Sequence, residues 1–115
     1  MNGNSITCIT EVPENTILYL LTADAESLLT AASTTFNAPV TKIKSPQSSL
    51  IFDCISRALF LDQNFKDELS AVNHTFQKLA PGIKPEGALS IGEIALNGRG
   101  NLEFFNKTLV TGILY

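Results

Sequence analysis

Tryptophan is absent from this 115-residue chain, and tyrosine occurs only twice. A single-stranded nucleic acid would find few aromatic platforms to stack on. Basic residues are also few: 8 Lys plus Arg against 11 Asp plus Glu, a net charge of −3. No run of Lys or Arg marks a phosphate-binding surface, so nucleic acid is not an expected partner. Cys8 and Cys54 stand far apart, with no Cys-x-x-Cys pair and no cysteine–histidine cluster. A zinc site is therefore not expected. The opening residues Met1 to Ser5 are polar and lack the basic and apolar regions of a secretory signal. Ile17 to Leu21, the longest apolar run, falls far below the roughly 20 residues of a membrane span. These absences point to a cytoplasmic protein with reduced thiols and no membrane partner.

What the chain does have is apolar mass. Leu, Ile, Val and Phe make up close to a third of it, enough for one hydrophobic core spanning residues 1–115. Ser5 to Val12 reads as a strand, Pro13-Glu14-Asn15 as a turn, and Thr16 to Thr22 as a second strand buried on both faces. Together they predict an antiparallel hairpin. Asp24 is placed to cap a helix with Leu28 or Leu29, Ala32 and Phe36 on its inner face, ending before Pro39. Val40 to Pro46 reads as a connector that includes a short edge strand through Ile43. Ser48 to Leu61 starts as a buried strand, Leu50-Ile51-Phe52, and then carries polar groups at Asp53, Ser56 and Arg57. A second helix follows from Asn64, with Phe65, Leu69, Val72, Phe76 and Leu79 in one stripe, ending at Pro81-Gly82. Gly87 to Leu96 and Leu102 to Tyr115 read as strands joined by the hairpin signal Asn97-Gly98. The predicted order is β-β-α-β-α-β-β: an α+β fold, with a mixed sheet and two helices packed against one of its faces.

Several residues could carry chemistry. His74 is the only histidine and falls opposite the apolar stripe of its helix, which disfavours any His-based nucleophilic scheme. Asp67 and Glu68, near the start of that helix, read as a solvated face that favours the helix dipole. Glu93 alternates in phase with Leu89 and Ile91, so it is either an acid on an apolar face, an ion pair with Arg57, or an exposed edge residue. Gly92 beside it permits close approach of backbone or ligand. Cys54 and Arg57 fall where the third strand ends, a place where ligands gather in sheets of this kind. Cys54 is either a thiol activated by Arg57 or a small buried residue. Arg57 either grips a ligand carboxylate or pairs internally with Asp53 or Glu93. Asn106 and Thr108 alternate onto one face of the last strand, as a polar pair that reads a ligand or fixes a bulge.

Three segments occur in order: Phe52-Asp53-Cys54-Ile55-Ser56-Arg57, Gly87-Ala88-Leu89-Ser90-Ile91-Gly92-Glu93-Ile94, and Phe105-Asn106-Lys107-Thr108-Leu109. They resemble the signature stretches of the FIST C-terminal domain. In that family a strand ends in Cys followed closely by Arg, a later strand carries Gly-Glu-Ile, and a final strand opens with Asn-x-Thr. Val12 to Ile17 and Asp24 to Ala32 resemble the family's earlier strand and helix. Ser56 stands where the family often has Gly. The resemblance implies a chain shorter than the usual C-terminal domain and lacking the N-terminal FIST domain that ordinarily precedes it.

It also implies a non-catalytic sensory domain of a signal-transduction protein, with a small-molecule ligand such as an amino acid and no cofactor. The implied partners are the FIST N-terminal half or a signalling output domain. The candidate ligand-binding residues carried over are Cys54, Arg57, Gly92, Glu93, Asn106 and Thr108. A second expectation is a structural or interaction module that packs on the N-terminal half. A third is a thiol hydrolase built on Cys54.

Overall fold

The computed structural model describes residues 3–8, 11–36, 43–96 and 98–115. Its first regular element is helix α1, Ala25–Thr34, and its start follows from local chemistry. The Ser27 amide donates to Asp24 Oδ1 at 2.8 Å, and the Asp24 amide donates to Ser27 Oγ at 3.1 Å, a reciprocal capping box. Leu28, Ala32 and Phe36 are buried, as their spacing predicts. Strand β1, Ser48–Cys54, runs directly into the short helix α2, Ile55–Leu61. A 3-10 turn at Asp62–Asn64 leads into the long helix α3, Phe65–Leu79. Four strands follow: β2 Glu86–Ser90, β3 Glu93–Leu96, β4 Leu102–Phe105 and β5 Leu109–Leu114.

β1 is the middle strand of a mixed three-stranded sheet ordered β2-β1-β5. It pairs in parallel with β2 (Ile51 beside Gly87) and antiparallel with β5 (Ile51 beside Thr111). β3 and β4 form a separate antiparallel ribbon, with Leu96 opposite Leu102. α1 and α3 lie together on one face of the three-stranded sheet. There Ala32, Phe36, Ile51, Val72, Phe76 and Ala80 make the core, with the Phe36 and Phe76 rings 5.1 Å apart. Thr75 Oγ1 ties the two helices by donating to the Ser33 carbonyl at 2.9 Å.

The α+β class, the mixed sheet and the two principal helices match the sequence reading, but four details differ. The first concerns Thr16 to Thr22, which forms no strand. Ile17 to Leu21 are 64–90% exposed instead of buried on both faces. An apolar run becomes a buried strand only when another strand satisfies its backbone, and no described residue pairs with this one. The predicted strand Ser5 to Val12 is likewise irregular where described, its residues 9 and 10 lying outside the described set.

Second, the stretch after β1 is helical as α2. The long strands predicted at Gly87–Leu96 and Leu102–Tyr115 are each interrupted, the first at Ile91-Gly92 and the second at Asn106-Lys107. Gly92 has φ +148° and Lys107 φ +59°, conformations that end an extended strand. Both breaks lie at the same level of the hairpin. Its inner halves, β2 and β5, splay apart there and admit β1 between them.

Third, the buried face of α3 is turned slightly from the predicted stripe: Leu69 is half exposed, whereas Glu68 is fully buried. Fourth, the predicted edge strand through Ile43 does not form at residues 43–46, and residues 37–42 lie outside the described set.

Candidate functional site

β1 ends at Cys54, beside Ser90 of parallel β2, and the Cys54 amide donates to the Thr108 carbonyl at 3.0 Å. The break at Lys107 therefore delivers Thr108 to the carboxyl end of β1, and the break at Gly92 turns Glu93 inward beside it. Glu93 is 3% exposed. Ser90 Oγ donates to its Oε1 at 2.7 Å, and Thr108 Oγ1 donates to its Oε2 at 2.6 Å. Two hydroxyl donors thus hold the Glu93 carboxylate, in place of either an ion pair with Arg57 or an exposed edge. Ile91, in phase with it by simple alternation, points outward because Gly92 breaks the pleat. A Cβ at Gly92 would fall 2.5 Å from Phe104 Cζ, so no other residue fits there without displacing that ring.

Arg57, in the first turn of α2, is buried and reaches four elements. Its Nε donates to Glu68 Oε1 of α3 at 3.0 Å, and Nη2 donates to the same oxygen and to the Leu28 carbonyl of α1 at 3.1 Å. Nη1 reaches the Lys107 carbonyl at 3.5 Å, and Nε stands 3.5 Å from Asp53 Oδ1 of β1. The expected internal pair with Asp53 is present as an ionic contact, while the dominant partner is Glu68. Glu68, expected on a solvated face of its helix, is instead fully buried. The missed signal is its position, four residues before Val72 and eight before Phe76, on the same side of α3.

Among the described residues, three carboxylates (Asp53, Glu68, Glu93) and one cation (Arg57) are buried. One guanidinium cannot compensate three charges. Asp53 carries the consequence: burial first, and then the charge of Glu68, push its carboxyl up to about 7, with Arg57 only partly opposing. Neither Asp53 oxygen accepts a hydrogen bond, and Glu68 Oε2 has no donor.

Two hollows adjoin this cluster. The larger, about 500 Å³, lies between α3 and β2, with Asp53 and Ile51 in its floor and Phe65, Leu69 and Leu89 in its walls. The smaller, about 200 Å³, lies between α1 and the β4–β5 turn and is lined by Arg57, Lys107 and Thr108. Five of the six sequence candidates, Cys54, Arg57, Gly92, Glu93 and Thr108, therefore meet at one end of the sheet. Asn106 stays outside on the exposed turn, because the left-handed Lys107 breaks the alternation that would align it with Thr108.

Cys54 is buried, 3.1 Å from Ser56 Oγ, and His74 is exposed on α3, so no histidine stands beside the thiol. Among the described residues no group of three His, Cys, Asp or Glu side chains is arranged to hold a metal ion, and no helix is long and apolar enough to cross a membrane.

The chain matches no curated protein and no solved structure. The sequence model of one family, described as the FIST C domain, does match, over residues 1–96. That span takes in the exposed run Ile17 to Leu21, both principal helices, β1 with Cys54 and Arg57, and the Gly92-Glu93 break. The chain belongs to the FIST C domain family.

Proposed function

We propose that this domain senses a small molecule in the hollow between α3 and β2, with the buried charge cluster as its floor. Domains of this family are sensory-type modules of signalling proteins. The observation that carries the site is Asp53: a buried carboxyl without a hydrogen-bond donor, in the floor of an apolar hollow of ligand size. In this reading Arg57, Glu93, Thr108, Cys54 and Gly92 hold the floor in place, and Asn106 lies at its margin. Arg57 also lines the smaller hollow, beside Lys107 and Thr108.

Occupancy is readable by α1, α2, α3 and the β4–β5 turn together, because Arg57 joins all four. A thermal-shift screen against amino acids, amines and small carboxylates tests the reading. A ligand at a hundred times its Kd stabilises by about 2.7 kcal/mol, a shift of several degrees for a chain this size. A folded protein whose melting temperature no compound raises would overturn it.

One set of observations favours a second reading, a packing module for the N-terminal FIST half or an output domain. Leu50 and Phe52 on the helix-free face of the sheet are 41% and 45% exposed, and Ile94, Leu96, Leu102 and Phe104 of the β3–β4 ribbon are more so. Under this reading Arg57→Ala or Glu93→Ala unfolds the chain, and no small molecule changes its melting temperature.

A further inference from the structure

We infer that the hollow between α3 and β2 takes a cationic amine with an apolar body and no carboxylate, its ammonium seated on Asp53. The inference rests on the sensing reading above and narrows it to one ligand class.

The charge balance of the cluster gives the sign. Asp53 of β1, Glu68 of α3 and Glu93 of β3 are buried around the single guanidinium of Arg57 from α2. Glu93 is satisfied by Ser90 and Thr108, and Glu68 Oε1 by Arg57. Asp53 is left over, with Arg57 Nε at 3.5 Å and directed to Glu68. A monocation placed on Asp53 brings the cluster closer to neutrality, whereas a ligand carboxylate would add a fourth negative charge beside an uncompensated one.

The walls give the rest of the ligand. Phe65 and Leu69 of α3 face Leu89 of β2 across the hollow, and Gly87 lines it without a side chain. A Cβ at Gly87 would meet the Ile51 carbonyl at 2.3 Å, so this stretch of wall stays bare. At the rim Lys84 and Glu86 carry opposite charges, leaving Asp53 to set the preference of the floor. An ordinary alkylammonium, with a pKa near that of lysine at roughly 10, is charged throughout the physiological range. It supplies the donors that both Asp53 oxygens lack and replaces the proton that Asp53 otherwise holds.

Three probes with one apolar body and different heads decide the matter: 2-phenylethylamine, phenylalanine and 3-phenylpropionate, titrated calorimetrically into the full chain at pH 8. Binding of the amine alone, or at least tenfold tighter than either acid, is the expected result. Its affinity should fall about tenfold from pH 8 to pH 6 as Asp53 takes up its proton. Asp53→Asn should abolish binding. Leu69→Arg, at a half-exposed position that leaves the floor intact, should abolish it by placing a cation at the mouth.

Phenylalanine or 3-phenylpropionate binding as tightly as the amine would overturn the inference and leave the sensing reading standing. The same holds for amine binding that survives Asp53→Asn unchanged. No binding by any of the three would overturn the inference. If the broader thermal-shift screen also finds nothing, the sensing reading falls with it.

Discussion

Two regions of this molecule invert the usual order of inside and outside. Ile17 to Leu21, five consecutive apolar residues, face solvent, while Asp53, Arg57, Glu68 and Glu93 are buried among helices and strands. The difference lies in partners rather than in hydropathy. The apolar run has no described strand to complete its backbone hydrogen bonds, and burying its amides and carbonyls unpaired would cost more than its side chains gain. Arg57, Glu68 and Glu93 have hydrogen-bond partners from α1, α2, α3, β2 and the β4–β5 turn, and Asp53 has an ionic contact with Arg57, which makes their burial tolerable. Burial follows the satisfaction of polar groups first and the apolar content of a segment second.

Removing the one cation should break this contrast most severely. Arg57→Ala leaves Glu68 and Asp53 buried without compensation and should cost about 3–5 kcal/mol in urea unfolding. Arg57→Lys should recover only part of that, since an ammonium cannot span Glu68, Leu28 and Lys107 at once. A loss under 1 kcal/mol for the alanine variant would mean that the cluster is not held by its charges.

Thr108→Val removes one of the two hydroxyls on Glu93 and should cost about 1.5–3 kcal/mol, because that hydrogen bond goes to a charged group. The same readout applies, and an unchanged midpoint would show that water takes over.

Asp53→Asn should act in the opposite direction. The Asp53 pKa is raised in the folded state, so the unfolded chain gives up its proton first and stability falls as pH rises from about 4 to about 7. Replacing the acid with an amide removes that loss. The variant should exceed the parent by on the order of 1–2 kcal/mol at pH 8, and the advantage should shrink toward pH 4. An asparagine variant less stable at pH 8 would mean that Asp53 is held ionised by Arg57.

The smallest effect belongs to the exposed run. Leu20→Ser should change unfolding free energy by less than about 0.5 kcal/mol and should reduce binding of an apolar dye. A loss above 1 kcal/mol would show that Leu20 is packed in solution.

Local signals carried much of the fold. The Asp24 cap, the inner positions Ala32, Phe36, Val72 and Phe76, and the β3–β4 hairpin were legible because each depends on residues a few positions apart. The meeting of Cys54, Arg57, Glu93 and Thr108 was legible only through the order of three short motifs, since no local rule links residues so far apart in sequence. Asp53 was visible solely as a partner for Arg57. Its lack of a donor depends on where Arg57 turns, which in turn depends on Glu68. Glu68 was misplaced because its charge outweighed its helical phase, and Ile17 to Leu21 because strand propensity says nothing about whether a neighbouring strand exists.

Inserting β1 between β2 and β5 also has a kinetic consequence. The central strand pairs at Ser48 with Leu114, near the far end of the chain. On a ribosome, residues 48–54 would wait for residue 114 before their second ladder could close, and that long loop makes the closure slow. Pulse-labelled hydrogen exchange during refolding should show the β1 amides that face β5 protected after those of α3. Their protection at the same time as the helix would rule out such a late step.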